Sequence, residues 1–210
     1  MSELATRTLV GALLIALALF ASAMGGYVFA FLCAAAACVM LYEWQRLVRD
    51  WGPEWSIGGF VYALVPALSL LWIRERPEVG LLLLIWVFIV TWATDIGAYF
   101  AGRTFGGPKL APSISPNKTI SGLVGGMTVA EVLASLWVWQ FDLSPALYFL
   151  AAPFAFAAQM GDLFESHMKR RAGVKDSGNI FPGHGGMLDR LDGLVVVASL
   201  TALVSVAGLL

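Results

Sequence analysis

The chain has 210 residues, of which 59% are hydrophobic and only 13% are charged, and its formal net charge is −1. A charged fraction of about half the roughly 25% typical of soluble domains indicates a membrane protein. The small net charge and the lack of a basic tail give no reason to expect a nucleic acid as a partner. The two cysteines, Cys33 and Cys38, lie within one apolar run, and we interpret them as small membrane-buried residues.

Seven apolar segments are long enough, at about 17 residues or more, to be predicted as membrane-spanning helices. Backbone polar groups cannot stay unpaired in lipid, and the alternation of a barrel strand is absent, so an all-α polytopic membrane bundle is expected. The first two segments are separated only by a Gly-Gly pair, which predicts a tight helical hairpin. The predicted spans are residues 8–24, 26–42, 57–73, 79–101, 120–140, 145–161 and 191–210.

Basic residues are distributed unevenly between the two ends of this predicted bundle. With seven spans, all of the 13 Lys and Arg residues except Arg74 and Arg76 fall on the side that carries the N-terminus. The positive-inside rule makes that side cytoplasmic. The two long polar segments, 102–119 and 162–190, are therefore predicted to share the cytoplasmic face and to carry the function.

The first candidate group lies in the segment AAQMGDLFESHMKRR, residues 157–171. Read as a helix, it places Asp162, Ser166 and Lys169 on one face. A carboxylate, a hydroxyl and an ammonium group at the end of a span suit a metal–phosphate site, whereas Arg170 is also explained as a basic anchor at the interface. An acid that adjoins an apolar span is costly without a partner, which favours a functional role for Asp162.

The segment KDSGNIFPGHGGMLDRLDG, residues 175–193, combines glycines with acids. Gly185 and Gly186 permit positive φ angles and let backbone N–H groups approach a ligand. They run into a predicted helix N-terminus, which favours anions, and Asp189 and Asp192 share one face of that helix. A divalent cation explains both features, because Mg²⁺ binds one or two carboxylates together with substrate phosphates.

The other polar segment, residues 94–122, supplies further candidates. Asp95 is either part of the site or a buried acid paired with an arginine of the bundle. Lys118 and Thr119 lie in a predicted proline turn, SPNKT, where a compact charge and turn N–H groups suit phosphate binding. The order of a P-loop, G-x-x-x-x-G-K-[ST], is missing. His184 fits a phosphate donor and a loop-organising residue equally well, and the other histidine is not spaced to form a zinc site with it.

Spacing and composition thus suggest a membrane-embedded enzyme of phosphotransfer or nucleotidyl transfer. A metal would be held by Asp162 from one helix and by Asp189 or Asp192 from another. Neither the nucleotide nor the acceptor follows from these features alone.

The segment SHMKRRAGVKDSGNIFPGHGGMLDRLD, 166–192, closely resembles the signature of the phosphatidate cytidylyltransferases, the CDP-diacylglycerol synthases. The upstream stretches DIGAYFAGRTFG and SPNKTISG look like two further blocks of that family. We therefore divide one membrane domain into N-terminal transmembrane helices, 1–93, and a catalytic transmembrane region, 94–210. The fixed positions of the signature are met by Ser166, Lys169, Arg170, Lys175, Asp176, Gly178, Phe181, Pro182, His184, Gly185, Gly186, Asp189, Arg190 and Asp192.

The resemblance implies that CTP and phosphatidate react to give CDP-diacylglycerol and pyrophosphate, with Mg²⁺ alone or beside a second monovalent or divalent cation. It also implies an integral protein of the bacterial inner membrane, often a homodimer, with its site open to the cytoplasm. The metal ligands implied are Asp162 and Asp189, and we predict Asp192 as a further ligand from its spacing. The predicted catalytic residues are Asp162, Asp189, Lys169 and His184. The resemblance places Asp95, Lys118 and Arg170 in the same cavity. The full set that we predict to bind the substrates is Asp95, Ser115, Lys118, Thr119, Ser166, Arg170, Lys175, Gly185, Gly186 and Arg190.

Two other functions are compatible with parts of this pattern. A sister enzyme would use CTP with another lipid phosphate or a polyprenol. An ion-coupled secondary transporter would use intramembrane acids to bind its coupling ions, but here the charges cluster at one end rather than at the midplane, and no inverted repeat is visible.

Overall fold

The computed structural model describes residues 3–181 and 185–210, and in these residues the chain forms seven helices and one two-stranded hairpin. The order of the elements follows the predicted order of the spans. Their bounds are α1 Glu3–Met24, α2 Gly26–Val48, α3 Pro53–Arg74, α4 Gly80–Phe105, β1 Lys109–Ala111, β2 Ser115–Thr119, α5 Ile120–Phe141, α6 Leu147–Arg171 and α7 Leu188–Val206.

Five of the described helices, α2 to α6, are long and apolar enough to cross a membrane. The apolar part of α1 is shorter, Thr8–Met24, and α7 carries Asp189, Arg190 and Asp192 in its first turns. The prediction of a polytopic helical membrane protein is therefore confirmed. Length and composition support a membrane crossing for five of the seven predicted spans.

Several helices continue past the ends of the predicted spans into polar sequence. The second helix ends at Val48 rather than at residue 42, and α6 ends at Arg171 rather than at residue 161. An apolar run marks where a helix meets lipid, but the backbone keeps its internal hydrogen bonds beyond that point. The first ten residues of the polar segment 162–190 are consequently helical, in agreement with the helix assumed above for residues 157–171.

The prediction of an all-α fold is wrong at the hairpin. Strands β1 and β2 pair antiparallel, with Lys109 opposite Thr119 and Ala111 opposite Ser115. The stretch SPNKT is therefore a strand and not a proline turn. Pro116 is tolerated there because a strand of a two-stranded ribbon has an open edge, where no ladder hydrogen bond is required.

The fourth helix lies at the centre of the bundle. Its residues Leu84, Trp86 and Val90 have no solvent exposure. At its polar end it approaches α5 very closely, because a Cβ atom on Gly126 would lie 2.7 Å from the carbonyl oxygen of Thr94. This packing fixes Asp95 in α4 relative to the start of α5.

The Gly-Gly turn between α1 and α2 forms the predicted hairpin. Gly25 and Gly26 have φ angles of 64° and 48°, which favour glycine. From the end of α3, Arg74 donates its Nε to the carbonyl oxygen of Ser22 at 2.6 Å and its Nη2 to that of Ala23 at 3.2 Å. Two of the last four carbonyl groups of α1 are thus bonded by the third helix.

A second apolar cluster joins α2, α3, α6 and α7 near the polar end of the bundle. Trp44, Met168 and Leu188 are among its buried members. Beside it, the guanidinium of Arg171 lies 4.2 Å from the ring centre of Trp51. The cluster holds the C-terminal end of α2 against the start of α7.

Candidate active site

The first of two Lys–Asp pairs joins the hairpin to α6, and we call it the outer pair. Lys118 Nζ lies 2.5 Å from Asp162 Oδ2, and the two side chains are 17% and 29% exposed. Ser166 donates its hydroxyl to Asp162 Oδ1 at 3.3 Å, and Lys118 also donates to the carbonyl oxygen of Gln159 at 3.4 Å. The two polar segments therefore meet at one end of the bundle, as predicted.

The second pair, Lys169 and Asp189, joins α6 to α7, and we call it the inner pair. Lys169 Nζ lies 2.5 Å from Asp189 Oδ1 and 3.0 Å from Glu165 Oε1. The side chains of Lys169 and Asp189 are only 12% and 8% exposed. The other oxygen, Asp189 Oδ2, accepts hydrogen bonds from Gly186 N at 2.8 Å and from Ser177 N at 2.9 Å, and Ser177 Oγ lies 2.9 Å from it.

These donors decide the charge of Asp189, which lies outside the five candidate spans. Burial alone would raise the pKa of its carboxyl group, but the hydrogen bonds from Lys169, Gly186 and Ser177 outweigh burial. The pKa of Asp189 is consequently lower than its ordinary value. The inner pair is thus an ion pair held by the backbone.

A cavity of about 350 Å³ opens beside the charged site, between α7 and the first four helices. Asp95 and Arg190 line it together with Phe181 and Met187. The remaining wall is mainly apolar and includes Leu14, Ile15, Phe29, Leu32, Leu70, Phe88 and Leu194. A cavity of this kind can take a hydrocarbon chain next to a charged group.

Four further predicted substrate-binding residues lie outside the two Lys–Asp pairs. Thr119 is buried, and its hydroxyl accepts a hydrogen bond from Gly122 N at 3.1 Å, which caps α5. Ser115 begins β2. Arg170 is exposed and donates to the carbonyl oxygens of Ile114 and Val174, and Lys175 is exposed as well.

The glycine-rich segment is described on both sides of residues 182–184. Gly185 has a φ of 79°, as predicted, and its carbonyl oxygen accepts a hydrogen bond from Phe181 N at 3.1 Å. The N–H of Gly186 is used inside the protein, on Asp189, rather than left open for a ligand. His184, the predicted catalytic histidine, lies outside the described residues.

Two acids that the sequence analysis did not select belong to this site. Glu43, near the end of α2, has no solvent exposure, and its carboxylate accepts hydrogen bonds from Met187 N, Leu188 N and Ser177 Oγ. Glu165 is 2% exposed and bonds Lys169. The reasoning applied to Asp162, that an acid beside an apolar span needs a partner, applies to Glu43 as well and could have found it.

The carboxylates of the site suit a magnesium ion by their chemistry, because Mg²⁺ prefers oxygen ligands. Glu165 Oε2 is buried and has no hydrogen-bond partner among the described residues. Asp162 and Asp189 instead bind lysines, and Asp192 accepts a hydrogen bond from Gly193 N at 2.8 Å. Within residues 3–181 and 185–210, no group of three or more His, Cys, Asp or Glu side chains is arranged to hold a metal.

Comparison with known proteins places this site in a family. The chain is 44% identical to a phosphatidate cytidylyltransferase of Brucella suis over 173 residues, which are 81% of this chain and 62% of the relative. It is 46% identical to a phosphatidate cytidylyltransferase of Bacillus subtilis over 128 residues, 60% of this chain and 48% of the relative. For a phosphatidate cytidylyltransferase of Rickettsia bellii the identity is 36% over 168 residues, 76% and 72% of the two chains.

The chain spans about 62% of the length of the Brucella relatives that it matches. The family model for cytidylyltransferases matches residues 54–207, which include both Lys–Asp pairs and the hairpin. The resemblance found in the sequence is thereby confirmed, and the chain belongs to the cytidylyltransferase family.

Proposed function

We propose that the protein is a CTP:phosphatidate cytidylyltransferase, which forms CDP-diacylglycerol and pyrophosphate. The proposal rests on one observation. In this member of the family, a charged site lies next to an apolar cavity at one end of a membrane bundle. A water-soluble nucleotide and a lipid phosphate would meet where these two environments join.

In the proposed reaction, a phosphate oxygen of phosphatidate attacks the α-phosphorus of CTP. A new P–O bond forms, the bond to the β-phosphate oxygen breaks, and pyrophosphate leaves with the electron pair. The attacking phosphate is already an anion, so the reaction needs no strong general base. Its main difficulty is repulsion between two anions, which positioning and charge neutralisation overcome.

Lys118 would provide part of that neutralisation, whereas Lys169 would order the acids of the site. The more exposed Lys118 lies at the hairpin, where an incoming phosphate would compete with Asp162 for its ammonium group. The buried Lys169 is fixed between Glu165 and Asp189, whose carboxylates balance its charge, so its role would be to hold these acids in place. Asp162, Asp189 and Asp192 would hold Mg²⁺, which when bound neutralises part of the triphosphate charge.

The lipid is oriented by the cavity. An acyl chain of phosphatidate would lie against its apolar wall, which would place the phosphate near Arg190 at the polar end. This arrangement keeps the hydrocarbon in an apolar environment while the reacting phosphate faces the nucleotide. The homodimer stays a prediction.

The direct test is product formation. The purified chain, in micelles that contain phosphatidate and with Mg²⁺ present, should convert radiolabelled CTP into a lipid-soluble labelled product. ATP should give no such product, and neither should CTP when phosphatidate is omitted. Equal product from ATP would overturn the choice of nucleotide, and product from a polyprenyl phosphate instead of phosphatidate would assign the chain to a sister enzyme.

We also propose that the site faces the cytoplasm, since nearly all basic residues lie at its end of the bundle. Ser113→Cys in the hairpin and Asn179→Cys, made with Cys33 and Cys38 replaced by alanine, should both be labelled by a membrane-impermeant thiol reagent from the cytoplasmic side only. Glu75→Cys, at the opposite end, should be labelled only from the other side. Labelling of the first two from opposite sides would contradict a common face.

A further inference from the structure

Glu43 caps a helix that lies far away in the sequence. The first N–H groups of a helix normally find an acceptor on a nearby N-cap side chain, but Met187 provides no such bond for α7. Glu43 replaces it from α2: Oε1 accepts from Met187 N at 3.0 Å, and Oε2 accepts from Leu188 N at 2.9 Å. A negative charge at this position also suits the dipole of α7.

Ser177 connects this cap to the inner pair. Its hydroxyl lies 3.0 Å from Glu43 Oε2 and 2.9 Å from Asp189 Oδ2, and its backbone N–H donates to the same oxygen of Asp189. Asp189 in turn binds Lys169. A continuous set of hydrogen bonds thus runs from α2 to the buried lysine of the site.

The shape of the polar segment depends on Glu43 as well. A Cβ atom on Gly186 would lie 2.5 Å from each carboxylate oxygen of Glu43, and a Cβ atom on Gly178 would also overlap with that carboxylate. Gly178 therefore leaves room for Glu43, and Gly186 leaves room for both Glu43 and Ser177 Oγ. The carboxylate of Glu43 fills the space next to Gly178 and Gly186.

We infer that Glu43 is a positioning residue of the proposed transferase, which holds Asp189 and Lys169 in their reacting geometry through Ser177 and the start of α7. Glu43 lies outside the matched part of the family model, which begins at residue 54, and outside the motifs that carry the resemblance. The effect of Glu43 on kcat rests on the proposed function. Its effect on the start of α7 can be measured without any activity.

The test is Glu43→Gln, which keeps the size of the side chain but replaces one acceptor oxygen by a donor. A backbone N–H or Ser177 then loses its acceptor, so the start of α7 shifts or opens. We expect kcat to fall at least on the order of tenfold while KM for CTP changes by less than about threefold, because a shift of about 1 Å in a reacting group costs up to 10²-fold. Amide hydrogen exchange at Met187 and Leu188 should become faster.

Glu131→Gln is the matched control. Glu131 of α5 also accepts a backbone N–H from a neighbouring helix, that of Ala152 in α6 at 2.9 Å, together with the hydroxyl of Ser135 at 3.1 Å. It does not belong to the charged site. This variant should keep wild-type kcat and wild-type exchange at Met187 and Leu188.

Wild-type kcat and exchange in Glu43→Gln would overturn the inference, and so would a loss of protection spread equally over all helices. If Glu43→Gln does not fold, Ser177→Ala removes only the hydroxyl that connects Glu43 to Asp189. It should lower kcat with little change in KM, and wild-type kcat in this variant would overturn the inference too. Absence of CDP-diacylglycerol from the wild type would refute the proposed function, whereas faster exchange in Glu43→Gln alone would still support the cap.

Discussion

The inner and outer pairs use the same two residue types and the same short distance, yet they are held very differently. Lys169 and Asp189 are almost fully buried and share further bonds with Glu165 and with the backbone around α7. Lys118 and Asp162 are more exposed, and the polar contacts that support them come from Ser166 and one carbonyl group. The inner pair is part of the fold, whereas we propose that the more exposed outer pair exchanges its partner for a substrate phosphate.

The largest expected effect concerns the two acids. Asp162→Asn and Asp189→Asn should each lower the rate of CDP-diacylglycerol formation on the order of 10³-fold, because both acids position the cations that neutralise the phosphates. The double variant should be little worse than the poorer single variant, since residues that act as one unit are not additive. Rates per folded protein would be compared for the wild type and the three variants, and near-normal turnover in either single variant would remove that aspartate from the site.

Replacing the lysines should distinguish the two pairs by the loss of folding stability rather than by the loss of reaction rate. Lys169→Met leaves Glu165 and Asp189 buried without their cation, which should lower the free energy of unfolding by about 3–5 kcal/mol. Lys118→Met leaves a partly solvated Asp162 and should cost about 1 kcal/mol or less. Thermal unfolding in detergent micelles would measure both variants, and equal losses would show that the inner pair is no more a part of the fold than the outer pair.

The smallest expected effect tests the role of Thr119 next to the outer pair. Thr119→Ala removes the cap of α5 and should lower the free energy of unfolding by about 1 kcal/mol, whereas Thr119→Ser keeps the hydroxyl and should cost less. Both variants would be measured by thermal unfolding in the same detergent. An equal loss in the two variants would assign the effect to the methyl group instead of to the cap.

The helices were predictable because apolar runs report directly on the part of a helix that meets lipid. The Gly-Gly hairpin was predictable for a similar reason, since only a tight turn fits between two such runs. The ends of the helices were harder to predict, because polar side chains that face the protein interior look like loop residues in the sequence. The hairpin at Lys109–Thr119 was missed because Pro116 favours a turn reading unless its strand is known to have an open edge.

Within the site, the spacing of nearby residues predicted which side chains share a helix face. Contacts between residues far apart in the sequence could not be predicted. The helical period predicted that Asp162, Ser166 and Lys169 share a face, and Ser166 does bond Asp162. The bonds from Glu43 to the start of α7 join residues 144 and 145 positions apart, a relation that no local pattern encodes. Asp189 was selected as a metal ligand, but its bonds to Lys169 and to the backbone follow only from the packing of α6 against α7.

The bonds from Arg74 to the end of α1 have a consequence for how the chain is assembled during synthesis. Carbonyl groups near lipid need donors, and those of Ser22 and Ala23 receive theirs from a residue about fifty positions later. The first two helices are therefore synthesised before the residue that bonds these two carbonyl groups. Until α3 has been inserted, these two carbonyl groups depend on water or another donor, and Arg74 takes over when α3 docks.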